Sequence, residues 1–332
     1  MVTSRAGVAE KDAALPPPAA DGFDRRAIPA HATESRWTAP DGWAIRRIDW
    51  PVPDAARGSL LLLGGRGDFY EKYLETMEQF HRAGFAVTGL DWRGQGGSGR
   101  FLDDPHVGHV ERFDSWIDDL TAFWREWTAS RPGPHSLLAH SMGGQIALRA
   151  AVDGRVVPDR LLLSAPMLGF HLTGMPFALA QLVARAMARL LPPGGKAWKE
   201  GEKPLSPARA RQGQLTHDPV RYADEGWWWE ARPELKLGAA SWRWVAAAMD
   251  SMAALARPGR IEGCAVPTLM VSPVRDALVD AKAAARIVRR LPNGAVRLWS
   301  GAAHEILREA EPLRSEVIAT LIRFIDRPFA DA

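Results

Sequence analysis

The chain has 332 residues, 46% of them apolar and 24% charged, with 42 Lys+Arg against 39 Asp+Glu and a formal net charge of +3. So even a balance, with no basic run, gives no basis for a nucleic-acid partner, and the length suits one large domain or a core carrying an insertion. The single cysteine, Cys264, excludes an internal disulfide, fits a reducing compartment and reads as a small buried apolar residue.

Residues 1–35 read as a flexible tail, with Lys11, Asp12, Arg25 and Arg26 around Pro16-Pro17-Pro18 and no apolar stretch of signal-peptide length. No window approaches the roughly 18 uninterrupted apolar residues of a membrane span, so the cytoplasm is the expected location. From Trp37 to Trp50, strand-forming residues flank the turn pair Asp41-Gly42, which predicts an opening hairpin. Gly58 to Leu63 is apolar without interruption, as in a strand covered on both faces, and ends at Gly64-Gly65-Arg66-Gly67. Helical spacing over 70–83 puts Tyr73, Met77 and Phe80 on one side. Phe85 to Leu90 is the next buried strand and runs into the glycine-rich loop 91–99.

An amphipathic helix is predicted from Phe113 to Ser130. After it Leu137-Leu138-Ala139 breaks at His140-Ser141-Met142-Gly143-Gly144 and restarts with helical text at Gln145. Further strands follow at 160–166, 268–272 and 295–299. Apolar strands alternating with helices imply an α/β fold with a mostly parallel, doubly covered sheet. About a hundred residues between Pro166 and Pro267 contain no strand-like run, far more than a crossover needs. They are read as an inserted helical cap, with helices over 177–191 and 242–255 and a turn at Pro192-Pro193-Gly194-Gly195. The expected division is core 36–167, cap 168–259 and core 260–332.

Strand, sharp turn and helix around Ser141 form the pattern of a nucleophile elbow, small-x-Ser-x-Gly, with Ala139 in the first small position. A serine hydroxyl needs a base to take its proton and an acid to hold that base, and in this topology both follow the elbow, just past strand ends. Asp276 ends Val271-Ser272-Pro273-Val274-Arg275-Asp276, and His304 ends Leu298-Trp299-Ser300-Gly301-Ala302-Ala303-His304. Asp280 is the rival acid, but it stands where a helix begins, and capping accounts for it better. His140 adjoins Ser141, and packing explains it; His171 and His217 read as surface or structural. For a developing oxyanion, one donor is the Met142 backbone N–H at the helix start, and the second comes from the Gly64–Gly67 loop, with the Arg66 N–H as the choice. That loop and 91–99 lack the spacing of phosphate-binding motifs, so turn geometry explains their glycines.

With Gly65-Arg66, Tyr70 and Tyr73, Asp91-Trp92-Arg93-Gly94-Gln95-Gly96-Gly97-Ser98, Ala139-His140-Ser141-Met142-Gly143-Gly144, Ser272–Asp276 and Ala303-His304-Glu305-Ile306, the chain resembles the α/β-hydrolase superfamily. Within it the chain is most similar to the lysophospholipase and monoacylglycerol-lipase-like branch grouped with S33 serine aminopeptidases. The resemblance spans roughly Thr38 to Phe324. It implies a Ser141–Asp276–His304 triad, oxyanion donors at Arg66 and Met142, a helical cap and neither metal nor organic cofactor. Ala139 replaces the first elbow glycine, and Gly64-Gly65 stands where many relatives have His-Gly; neither change removes a backbone donor.

Six of the 14 tryptophans, Trp198, Trp227, Trp228, Trp229, Trp242 and Trp244, fall in the cap. They either line a lipophilic acyl pocket, with Trp228 and Trp242 beside Gly65 and His140 as substrate-binding candidates, or form the cap's own core. The segment 177–191, apolar with Arg185 and Arg189 on one side, either lies weakly against an acidic lipid surface or simply covers the site, and the second reading is favoured. The partner expected is a small ester or lipid substrate, cleaved through an acyl-enzyme. Amide or peptide hydrolysis on the same triad and a non-catalytic ligand-binding role are the alternatives.

Overall fold

In the computed structural model, which describes residues 22–172, 174–198 and 208–328, the opening hairpin is formed by β1 (Thr33–Thr38) and β2 (Ala44–Asp49), antiparallel about the turn at Asp41-Gly42. Residues 1–21 of the expected tail lie outside the described residues. The remainder of that tail departs from the expectation. β1 begins at Thr33, and Arg25 and Arg26 each donate at 2.7 Å to the carboxylate of Asp224 in the cap. Thr33-Glu34-Ser35-Arg36 is polar at every position before Trp37, so no apolar period separates this edge strand from a tail.

The chain continues through β3 (Ser59–Leu63), α1 (Leu74–Arg82), β4 (Ala86–Leu90), α2 (Asp114–Ser130), β5 (His135–His140), α3 (Ser141–Val152) and β6 (Arg160–Ser164). The cap follows as α4 (Phe177–Leu190), α5 (Ala208–Leu215), α6 (Pro219–Ala231) and α7 (Trp242–Leu255). The core then closes with β7 (Thr268–Pro273), α8 (Ala281–Val288), β8 (Gly294–Trp299) and α9 (Leu313–Asp326). The predicted helix over 70–83 is split, because 70–73 winds as a 3₁₀ turn before α1. The sequence pattern does not mark α5 and α6 as helices. The first is rich in Arg and Gln with little apolar periodicity, and the second spends its three tryptophans on several neighbours.

The eight strands form one sheet in the order β1-β2-β4-β3-β5-β6-β7-β8, parallel from β4 to β8. Because successive side chains point to opposite faces, the continuous apolar strands feed two cores at once. Leu61, Leu63, Leu137, Ala139, Leu161, Leu163 and Met270 pack under the helices that carry Trp116, Ile146 and Met252. Leu60, Leu62, Leu138, Leu162, Leu269 and Val271 pack on the other side against Tyr73, Phe80, Ile318 and Leu321. β8 departs from this pattern: it is an edge strand, so Leu298 is 41% exposed.

Chain order turns back at β3, which lies between β4 and β5, and ligand crevices in open α/β sheets form at such switch points. The pairing of Leu63 with Ala139 sets the loop after β3 beside the turn after β5. That contact requires Gly143, since a Cβ there would come within 2.3 Å of the Gly64 carbonyl oxygen.

The cap is tied down at both ends. Among cap residues, Ala239 accepts the Gly108 N–H, the Gly108 carbonyl accepts the Ser241 N–H, and α4 lies along α7. α6 is held by Arg221 on Glu75 at 2.7 Å and by Asp224 on Arg25 and Arg26.

Candidate active site

Ser141 is the first residue of α3 and has φ +49°, a left-handed conformation that is costly for a residue with a Cβ. Strain of this kind is maintained where the surroundings over-determine it, here by Gly65 and Gly143 packed against the turn. Ala139, within β5, is not in the positive-φ region, so its methyl group fits the first elbow position.

His304 comes from the loop after β8, two strands away from β5's neighbour β6, and it crosses back over the sheet. Its backbone N–H donates to the Gln214 carbonyl and that of Glu305 to Leu215, so the end of α5 carries the histidine loop. His304 Nε2 then lies 3.0 Å from Ser141 Oγ, and Nδ1 lies 2.6 Å from Asp276 Oδ2. A carboxylate only accepts, so Nδ1 holds the proton and Nε2 presents a lone pair to the serine hydroxyl. The second oxygen of Asp276 accepts the N–H groups of Leu278 and Val279 at 2.8 and 3.1 Å. Burial works against ionising this aspartate. The His304 charge and hydrogen bond, with the two backbone donors, outweigh it and hold the carboxyl below its usual range. His171 Nε2 donates to the Asp276 carbonyl at 2.8 Å and steadies the same loop. Asp280 accepts from the Ala283 N–H and caps α8.

On the other side of Ser141, neighbouring N–H groups of the β3 loop are already engaged. Gly65 N–H donates to Asp68 at 2.7 Å and Gly67 N–H to Gln95 at 2.6 Å, while the Trp92 indole donates to the Gly64 carbonyl at 2.7 Å. Between them, the Arg66 N–H has no acceptor among the described residues. Met142 N–H, in the first turn of α3, likewise precedes any intrahelical partner. A hydroxyl, a base fixed in one tautomer by an acid, and two unspent donors are the parts needed for acyl transfer.

A profile of the serine aminopeptidase S33 family matches residues 54–311. The chain is 31% identical over 307 residues to lysophospholipase L2 of Escherichia coli K12, covering 89% of this chain and 87% of that protein. It is 27% identical over 285 residues to the probable lysophospholipase L2 of Haemophilus influenzae, covering 85% and 88%.

The chain belongs to the serine aminopeptidase S33 family.

Its fold is that of the α/β-hydrolases. The crystal structure of a soluble variant of monoglyceride lipase from Saccharomyces cerevisiae with a substrate analogue superposes with a TM-score of 0.71 at 20% identity, over 92% of this chain and 97% of that one.

In this S33 protein the two tryptophans expected at the acyl pocket are placed elsewhere. Trp228 donates from its indole to the Arg25 carbonyl, lies under Arg232 and stacks edge-on with Trp227, so it anchors α6 to the N-terminal segment. Trp242 packs with Ala184, Ala246 and Met249 between α4 and α7. The cap rings that reach the β3 loop are Trp198 and Trp244, whose ring centres lie 5.3 and 5.5 Å from the Arg66 guanidinium carbon. Helix phase within the cap decided this, and composition does not carry it.

Arg66 itself is unusual. Its guanidinium donates to the Gly238 carbonyl, its Nε is buried without a partner, and no carboxylate faces it among the described residues. Burial pushes its pKa down to about 10, which still leaves it charged at neutral pH. Two cation–π contacts at about 0.5–2 kcal/mol each recover only part of a desolvation cost of several kcal/mol.

Behind the triad, Lys72 is buried against three carboxylates: Asp68 and Glu305 at 2.6 Å and Glu225 of α6 at 3.3 Å. Arg308 pairs with Glu305 and Arg211 with Glu225, which balances the cluster. Asp68 also accepts from Tyr73 Oη at 2.6 Å, so one network joins the β3 loop, the histidine loop and the cap. No site role for Asp68, Lys72 or Gln95 followed from the sequence. The signal available is Asp68-Phe69-Tyr70-Glu71-Lys72-Tyr73, where charges interrupt an aromatic run that is wholly buried.

Gly65 and His140 both touch the centre. A Cβ on Gly65 would come 2.9 Å from Ser141 Cβ and 3.3 Å from His140 Cδ2. Gly65→Ala is therefore expected to displace the donor loop and lower kcat about 10²- to 10³-fold with little change in KM. Steady-state kinetics on a soluble ester measures it, and a kcat near wild type would remove the loop from the site.

His140 lies against His304 with ring centres 4.8 Å apart and planes tilted by 56°, and its Nδ1 donates to the Ser164 carbonyl at 3.1 Å. Burial, then the neighbouring His304 charge, push its pKa down to about 4 from 6.5, so it stays neutral beside an imidazole that must accept a proton. A lowered histidine gives stability that is present above pH 6.5 and lost as pH falls toward 4. The full span is worth roughly 3 kcal/mol. Denaturant midpoints across that window should fall less steeply in His140→Asn than in wild type; parallel curves would refute the assignment.

Proposed function

We propose that this S33 protein is a serine hydrolase that cleaves the carboxylic ester of lipophilic monoacyl lipids through an acyl-enzyme. The observation that carries the reading is the continuous contact from Ser141 Oγ through the His304 ring to Asp276, at 3.0 and 2.6 Å. Ser141 Oγ attacks the carbonyl carbon as His304 Nε2 takes its proton, and the oxyanion forms against the N–H groups of Arg66 and Met142. Collapse breaks the ester C–O bond, and His304 returns the proton to the leaving alcohol. Water, deprotonated by the same imidazole, then releases the fatty acid and restores the serine.

The lipid assignment is supported by the lysophospholipase relatives and by Trp198 and Trp244 above the β3 loop. Aminopeptidase activity, which the family description suggests, is less well served: an α-ammonium group would have to approach the unpaired cation of Arg66. Fluorophosphonate labelling that disappears in Ser141→Ala tests the nucleophile. Hydrolysis of an ester series from acetyl to palmitoyl, beside matched aminoacyl amides, tests the substrate. Equal rates on acetyl and palmitoyl esters would remove the lipid assignment.

Contact with lipid aggregates is assigned to α4. Its Leu182 and Leu190 are 61% and 79% exposed, whereas Arg185 is taken up by Asp250 at 2.8 Å. No helix among the described residues is long and apolar enough to cross a membrane. Vesicle sedimentation unchanged by Leu182→Ser with Leu190→Ser would remove this contact.

A further inference from the structure

Every other strongly buried cation around the centre faces a carboxylate: Lys72 faces Asp68 and Glu305, Arg46 faces Glu71 and Asp91, Arg221 faces Glu75, and Arg308 faces Glu305. Among the described residues Arg66 faces none, although it directly follows the glycine that packs on Ser141. It packs against two indoles and the backbone of Gly108 and donates to one backbone carbonyl, which uses one donor of a fork that has five. The Nε is shut away from water, while the residue as a whole keeps part of its surface accessible. A planar cation packed against two indoles and short of acceptors, on a residue that keeps part of its surface, is matched by a bidentate anion such as a phosphate or carboxylate.

The position limits which anion fits. An extended arginine carries its guanidinium carbon about 6 Å from Cα, and in a monoacyl glycerophospholipid the phosphorus lies about 7 Å from the scissile carbonyl carbon. With the carbonyl oxygen on the Arg66 N–H, the same residue's side chain has the length to reach the phosphate. Resting on the ester-hydrolase reading above, we infer that the Arg66 guanidinium receives the phosphate of the substrate's head group, making a lysophospholipid rather than an uncharged monoacylglycerol the preferred ester. The cap residues Trp198, Gly238 and Trp244 then serve to hold the fork in place for that anion, and the counter-charge arrives with the substrate.

The test compares kcat/KM for lysophosphatidylcholine and for a monoacylglycerol with the same acyl chain. In Arg66→Met the ratio of the two should fall about 10- to 100-fold relative to wild type, and Arg66→Lys, which keeps the charge but not the fork, should fall between. On the unaltered protein, glycerol 3-phosphate should compete with the lysophospholipid and glycerol should not. A ratio unchanged in Arg66→Met, or equal inhibition by glycerol and glycerol 3-phosphate, would overturn the inference while leaving the hydrolase reading intact. Failure of wild type to cleave either ester would overturn both.

Discussion

Replacing His304 by alanine is expected to lower kcat for ester hydrolysis roughly 10⁴- to 10⁶-fold, with KM within a few-fold of wild type and no loss of fold. On the proposed mechanism the imidazole is the base for the 3.0 Å contact with Ser141 Oγ, and no second base touches that oxygen among the described residues: the adjacent His140 ring donates through Nδ1 to the Ser164 carbonyl. Asp276→Asn should cost about 10⁴-fold, because an amide at 2.6 Å from Nδ1 can donate and turn the proton of the ring toward the serine. Asp280→Asn supplies the contrast. That side chain caps α8 through the Ala283 N–H, so its replacement should leave kcat near wild type and alter stability by at most about 1 kcal/mol. Steady-state kinetics on a soluble ester, with melting temperatures alongside, separates these outcomes. Activity of His304→Ala within tenfold of wild type would end the triad assignment.

Lys72→Met is expected to be among the most damaging substitutions in the chain away from the reacting atoms. It removes the cation from between Asp68, Glu305 and Glu225, whose side chains are all about 5% exposed, and leaves three carboxylates with Arg308 and Arg211 alone. Uncompensated buried charge of this kind costs about 3–5 kcal/mol, which for a domain of this size is a fall in Tm of roughly 4–8 °C. The effect should extend to catalysis. Asp68 loses the partner that orients it, and with it the bond that fixes Gly65 N–H, so kcat should fall at temperatures where the variant is still folded. The exposed Lys282→Met is the control. A variant that melts with wild type would show that the cluster is dispensable.

The layout of the fold follows from local text. Leu60 to Leu63, Leu137 to Ala139 and Leu161 to Leu163 are apolar at every position because both faces of a central strand are covered, and that property is legible one residue at a time. Ser141 was legible for a similar reason: a strand that turns sharply into a helix needs small residues at fixed offsets, and those are neighbours in sequence. Asp276 and His304 are legible as polar residues just past strand ends, and the resemblance to the α/β-hydrolases joins them to Ser141. Where local patterning was weak, the reading failed or stopped short, as at β1, α5 and α6.

What no local pattern carried was the partner of each charge. Glu305 is 233 residues from Lys72 and Asp224 is 199 from Arg25, pairings that exist only because the strand order brings their loops together. The same holds for the indoles. Composition placed tryptophans in the cap, but helix phase and packing sent Trp228 to the N-terminal segment and Trp244 to Arg66. By itself the sequence determined the alternating sheet and helices, the serine on its turn and the strand ends from which an acid and a base had to come. Only the tertiary structure decided which buried cations were matched by carboxylates and that Arg66, among the described residues, was not, because the energy of a buried charge depends on what surrounds it in space and not on its neighbours along the chain.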